Sequence, residues 1–566
     1  MLILKLMEFF VSHGWLYGLG SGGLFIALSV DESRKTLRAI LFSAFVLSLM
    51  PVAAVILAPT WAENLDVPLE FFVVDLLFYP VAVAASWYGA WWILRHGVHK
   101  WERLAVGWKK ASTLERNRRT DVREMGKFLP KAEENFDPLL YINEKKGIFV
   151  GLNEDRQPFY IDYEDWRISH VLLTGRTRAG KGVSAQTILW QAVQRKEFCI
   201  VLDPKSDAFM PHVYKAACDK SGQPWVFLDL RSGAHPQINM IEGCDEETIE
   251  NMLIGAFSLS EKGDAADFYR LGDREAALQV ARHVSSRVKA GQPCPTPAEV
   301  YAMFGEGWKD NAAGFSAAMR EMAELQSVNR ASGGVDIEAL ERSGGMLYVV
   351  GDMGNTRIVR MQRMLLIRLM MLAKKRDYIT QDPRTITVFA DEFKVHISKP
   401  FMTSLGASAG WGLHCILAFQ SLQDLADCPA DLDKDAVRGG VMENCALQLS
   451  YRIKDPETAE WLARSTGKIL VDDESRKITK NLAQAETFDD ERTVRLAERY
   501  FVDENMMLNM PKGCGVLSGA STLPAFCYTS PIKVQRDLIA VTPTILPPSA
   551  ADVAVGDLAL DEIPEI

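Results

Sequence analysis

Residues 170–186 read HVLLTGRTRAGKGVSAQ: an apolar run, a loop punctuated by glycines, then a stretch compatible with helix. Gly175 to Lys181 fit the spacing GxxxxGK, with a strand expected before the loop and a helix after it. Gly175 and Gly180 permit backbone angles and close approach that a side chain would obstruct. The N–H groups of Gly175-Arg176-Thr177-Arg178-Ala179-Gly180-Lys181-Gly182-Val183 can therefore cradle phosphates at a helix N-terminus. Lys181 then neutralises the β- and γ-phosphates of ATP. Gly182 departs from the usual pattern, because a Ser or Thr hydroxyl normally coordinates Mg2+ there. Either water and a downstream acid hold the cation, or Ser184 supplies an oxygen, or hydrolysis is impaired. A glycine-rich turn without nucleotide is the plainer alternative.

The downstream acid lies in TITVFADEF, residues 385–393, an expected buried strand ending in two adjacent carboxylates. At the C-terminal end of such a strand Asp391 can reach Mg2+, directly or through water, while Glu392 can accept a proton from the attacking water. A third strand, residues 414–419, ends in Gln420, whose amide either senses the γ-phosphate and orients water or merely caps the next helix. Lys205, after the strand-like VLDP of residues 201–204, belongs either beside this site or on the surface. Arg452 and Arg464 are conceivable inter-subunit fingers.

Outward from these motifs, apolar runs bounded by turn residues recur at 168–174, 198–202, 225–230, 346–351, 385–390, 413–419, 447–453 and 513–518. Several are continuous rather than alternating, as strands covered on both faces should be. Helical stretches such as 184–195 and 357–375 lie between them, which predicts a parallel α/β sheet with helices on both sides. The interval 238–342 lacks strand character and reads as an all-α insertion, dividing the nucleotide-binding domain into 146–237 and 343–541. From 542 to 566 prolines and unbalanced carboxylates predict an acidic flexible tail.

The first 94 residues have another character. Residues 39–61 form a charge-free apolar run and residues 71–94 a second, interrupted only by Asp75, so two membrane spans are expected; the glycine-rich 15–30 is a shorter third candidate. Asp75 marks either a polar contact between helices or the membrane edge. The charge bias between 62–70, with three carboxylates and no base, and 95–127, with ten Lys and Arg against four acids, places the large remainder in the cytoplasm behind a basic connector, 95–145. A cleaved signal peptide fits less well, given two long apolar runs. The net charge of −10 argues against a protein that coats nucleic acid over its whole surface, though not against a local basic channel. The nine cysteines form no CxxC pair or zinc spacing and read as reduced thiols.

Taken in order, N-terminal spans, HVLLTGRTRAGKGVSAQ, IVLDPKSD, a helical insertion, VFADEF and ILAFQSLQDL make the sequence resemble the coupling proteins of type IV secretion and conjugation systems, the TraD/TraG type. The resemblance covers nearly the whole chain, and the GKG form of the loop is similar to a variant found in that family. It implies a RecA-like motor domain, an all-α domain facing the cytoplasm and a ring, a homo-hexamer, around a channel in the inner membrane of a Gram-negative bacterium. It further implies an ATPase passing single-stranded DNA with its relaxase and relaxosome proteins, or effector proteins, to a secretion channel. A DNA pump of the FtsK kind, a nucleotide-gated docking receptor with little turnover, and an assembly ATPase that never touches DNA are the rival functions.

Overall fold

A computed structural model describes residues 2–29, 35–65, 77–97, 122–131, 135–261, 263, 267–480, 486–519, 522–538 and 541–545. The chain divides into two compact units, Met1–Arg118 with Ile469–Arg499, and Arg119–Lys468 with Tyr500–Ile566. The second unit carries an eleven-stranded sheet. Its strands are β1 (Ile148–Leu152), β2 (Pro158–Ile161), β3 (Val171–Thr174), β4 (Phe198–Asp203), β5 (Trp225–Asp229), β6 (Gly345–Val350), β7 (Ile386–Ala390), β8 (Leu413–Phe419) and β9 (Leu447–Ser450). After the ribbon β10 (Lys468–Lys480) and β11 (Glu486–Tyr500) come β12 (Cys514–Gly519) and β13 (Thr522–Tyr528).

The order across the sheet is β2-β1-β13-β12-β9-β3-β8-β7-β4-β6-β5. From β9 to β5 every neighbouring pair is parallel; β12, β13, β1 and β2 extend the sheet antiparallel. All eight apolar runs of the sequence are strands, and β3, β4, β6, β7 and β8 are buried along their whole length. Side chains alternate between two cores, one on each face. In β4, Phe198, Ile200 and Leu202 join the core containing helices Glu246–Ala256 and Thr356–Lys374, whereas Cys199 and Val201 join the core containing Lys181–Gln194 and Met210–Ser221.

The interval 238–342 contains helices Glu246–Ala256, Asp267–Lys289, Pro297–Trp308, Ala313–Glu324 and Ile337–Ser343, and among its described residues no strand. It is not a separate globule, because its apolar side chains continue the core on one face of the sheet. The expected tail begins with a docked segment: Thr544 donates its N–H to the Phe227 carbonyl (3.1 Å) and accepts from the Phe227 N–H at Oγ1 (2.8 Å), satisfying the edge strand β5. Residues 546–566 lie outside the described residues. So do Asp75, the loop 66–76 and the connector residues 98–121. The ribbon β10–β11 groups with the N-terminal residues rather than with the segment 343–541 that encloses it in sequence. None of the nine cysteines is in a disulfide.

In the first unit, Lys35–Glu63 is the one helix, among the described residues, long and apolar enough to cross a membrane. The expected second span is helical over Tyr79–Trp92 and continues as a π turn, Ile93–Gly97. The third candidate is broken into Gly14–Gly18 and Gly23–Ser29, each too short to span. The reason is packing. A Cβ on Gly22 would lie 2.5 Å from the Ser86 carbonyl oxygen and one on Gly20 2.7 Å from that of Ala44, so this piece sits against two neighbouring helices.

Candidate nucleotide-binding site

Because β3, β8, β7 and β4 are adjacent and parallel, their C-terminal ends open on one edge of the sheet. The loop after β3 leads into helix Lys181–Gln194, with Gly180 as its N-cap at φ 147°. Gly180 is obligatory on two counts. Its φ suits glycine, and a Cβ would lie 2.5 Å from a ring carbon of Tyr451. Arg176, Thr177 and Arg178 stand exposed at the tip, Ala179 and Gly180 are buried, and Gly182 and Val183 open the helix half-buried.

Lys181 is buried and donates to the Gly175 carbonyl of its own loop. Burial holds its ammonium below the usual lysine range, against the pull of Glu392. An amine withdrawn from water with only a backbone acceptor is suited to an anion, and the adjoining cleft of about 670 Å³ is of ligand size.

Asp391 and Glu392 follow β7, both buried, and Glu392 takes a left-handed conformation, φ 47° and ψ 57°. The turn is held from behind by His396, whose Nε2 donates to the Asp391 carbonyl (3.1 Å). Burial pushes that imidazole down to about 3, so it stays neutral. Gln420, at the end of the intervening strand β8, donates its amide to Glu392 Oε1 (2.7 Å) and accepts from Thr177 Oγ1 (3.2 Å), tying the glycine loop to the acid. Lys205 belongs at the site rather than on the surface: it pairs with Glu392 and lies 3.5 Å from Asp391 Oδ2. Burial pushes the Glu392 carboxyl up, but the hydrogen bond and charge of Lys205, then Gln420 and Lys181, outweigh it and hold it below the usual range. Asp391 is raised, by burial first and by its neighbour Glu392, only partly countered by Lys205.

Ser184 is turned away from this group, hydrogen-bonded to the Tyr451 hydroxyl, which also donates to Thr529 Oγ1 (3.1 Å). Arg452 gives its Nε to the Leu508 carbonyl (2.9 Å) and Arg464 pairs with Glu460 on its own helix. Sequence reasoning missed the far wall of the cleft, Asn135, Phe136, Lys512 and Thr529. These residues carry no motif and meet the loop only because β13 joins the sheet. Tyr451 was equally unmarked, standing at the end of an ordinary apolar run.

Residues 326–527, from the insertion through the carboxylate pair to β13, match the family model described as Type IV secretory system Conjugative DNA transfer. That stretch is similar to the conjugative DNA transfer family. A curated relative, Mobilization protein A of Escherichia coli, is 29% identical over 343 residues, 59% of this chain and 60% of that one. The chain thus spans about 60% of the length of the curated relative it matches. Among solved structures, the bacterial conjugative coupling protein TrwBdeltaN70 matches in its trigonal form in complex with sulphate, with TM-score 0.51, 14% identity, 74% of this chain and 97% of that one. The unbound monoclinic form gives TM-score 0.50 and 14% identity over 70% of this chain and 91% of that chain. At that identity the coupling-protein structures share the fold with this chain, and the site rests on its own residues.

Proposed function

We propose that this chain is a membrane-anchored P-loop ATPase that couples single-stranded DNA with relaxosome proteins, or effector proteins, to a type IV secretion channel and drives the cargo by ATP hydrolysis. The observation that carries the reading is the convergence of three neighbouring strand ends, with Lys181 and Asp391 lining one cleft and Glu392 and Gln420 hydrogen-bonded to each other beside it. Bound ATP with Mg2+ supplies the scissile phosphoanhydride and the cation's charge. Around it the loop from Gly175 to Val183 holds the phosphates with backbone N–H groups, and Lys181 neutralises them. Asp391 holds the cation through its carboxylate or a water. Glu392 takes the proton of the attacking water, and Gln420 orients Glu392 and reports on the loop through Thr177. Among the described residues no cluster of three His, Cys, Asp or Glu side chains forms a metal set, which suits a cation ligated mainly by phosphate and water.

In this reading Lys35–Glu63 anchors the chain in the bacterial inner membrane, the helix Tyr79–Trp92 belongs to a second span, and the sheet unit faces the cytoplasm as one subunit of a homo-hexameric ring. Gly182, which leaves the cation without a hydroxyl, favours a second reading: a nucleotide-gated docking receptor with little turnover. Phosphate release by the full chain in detergent, with and without single-stranded DNA, separates the two. DNA-stimulated turnover lost in Lys181→Ala and Glu392→Gln supports the motor; nucleotide binding without turnover supports the receptor.

A further inference from the structure

Two adjacent carboxylates at the end of a buried strand repel one another, and their neighbours decide how they are tolerated. Asp391 is 7% and Glu392 1% exposed. The hydroxyl that would bring a divalent cation to them is absent at Gly182, and that of Ser184 is committed to Tyr451. The positive charge comes from the adjacent strand. Asp203, fully buried at the end of β4 and fixed by the Tyr348 hydroxyl (2.6 Å), accepts the N–H groups of Lys205 (3.0 Å) and Asp207 (2.7 Å) and so pins the turn from below. From that turn Lys205 reaches the same Glu392 oxygen that Gln420 binds, and lies near Asp391 Oδ2. Its side chain is 31% exposed and lines the nucleotide cleft, so it has solvent to swing into while its backbone stays fixed.

We infer that Lys205 is a resident counter-ion that keeps the place of the divalent cation between Asp391 and Glu392 and yields it when the cation enters with nucleotide. The inference rests on the nucleotide reading of the cleft. With Lys205 and Gln420 both on Oε1, that oxygen of Glu392 is engaged until the cation displaces Lys205. Lys205 also offsets the two carboxylates toward a nucleotide that comes without its metal, so the empty site tolerates metal-free ATP better than an uncompensated acid pair would.

The test is the affinity of the full-length chain, in detergent, for a fluorescent ATP analogue, measured with Mg2+ and again with the metal chelated. Lys205→Met should raise the ratio of the two affinities by about tenfold, the scale of one charge-assisted hydrogen bond, and lower the Mg2+ concentration that half-saturates binding. Lys205→Arg, which keeps the charge, should leave the ratio near that of the unsubstituted chain. An unchanged ratio in Lys205→Met overturns the inference. So does loss of binding by Lys205→Met under both conditions with Lys205→Arg unaffected, which would make Lys205 a direct phosphate ligand. Absence of binding by the unsubstituted chain would overturn the nucleotide reading itself and the inference with it.

Discussion

At Glu392 a non-glycine residue sits in the left-handed region, where an L-residue is less stable by about 1–2 kcal/mol. The turn is retained because His396, Gln420 and Lys205 hold it from three sides. Glu392→Gln should lower ATP hydrolysis by about 10²–10³-fold while nucleotide affinity changes little, checked by phosphate release beside equilibrium binding. Because its folded value is depressed, Glu392 stays ionised through neutral pH. Its stabilising pair with Lys205 is present above the unfolded carboxylate value and is lost as pH falls through the folded one. In the nucleotide-free chain the Glu392 carboxyl should therefore titrate below the ordinary glutamate value of about 4.3, checked by carboxyl NMR of the labelled side chain. Gly180→Ala meets both a φ of 147° and the Tyr451 ring, and it should abolish nucleotide binding, with no thermal shift on adding ATP.

Between elements, the long helix Thr356–Lys374 joins the sheet to the all-α insertion by two kinds of contact. Arg368 is nearly buried and donates to the carbonyls of Met240 (3.2 Å) and Glu242 (2.6 Å) and to the Glu338 carboxylate (2.8 and 2.9 Å). Arg360 pairs with Glu321 where both are partly exposed. Removing a buried partner strands charge and carbonyls without water, so Arg368→Ala should cost about 3–5 kcal/mol. Arg360→Ala should cost under about 1 kcal/mol, since solvent replaces the lost pair. Urea unfolding followed by tryptophan fluorescence distinguishes them; equal effects would mean that the insertion does not depend on Arg368.

For the molecule as a whole, the apolar helix Lys35–Glu63 and the sheet belong to different units, so anchoring and nucleotide chemistry should separate. The full chain should stay with membranes through an alkaline carbonate wash, and a chain beginning at Arg119 should be released by it. Retention of the shorter chain would place a membrane contact in the second unit. The exchange of one continuous core between sheet and insertion predicts the opposite for residues 238–342: they should not be removable without loss of the sheet's fold.

The sequence by itself determined the glycine loop between strand and helix, the carboxylate pair at a strand end, the seven parallel strands with β12, and the helical run between β5 and β6. Each depends on local order: a glycine spacing, a strand end, or a run of apolar residues long enough to be covered on both faces. Tertiary structure alone decided the partners of those residues. β2 and β13 are partly exposed and β1 is interrupted by Gly151; β1 with β2 and β12 with β13 form local hairpins, and the distant step is the pairing of β1 with β13, which no local pattern specifies. The fit of Tyr451 over Gly180, the wall at Asn135, Phe136 and Thr529, and the choice of Glu392 as the partner of Lys205 follow from the order in which strands lie side by side. The glycine-rich stretch 15–30 breaks because two other helices approach it, and Lys205 reaches the acid pair because β4 lies next to β7. Hydropathy measures a residue against solvent, whereas these outcomes are set by contacts between segments far apart in the chain.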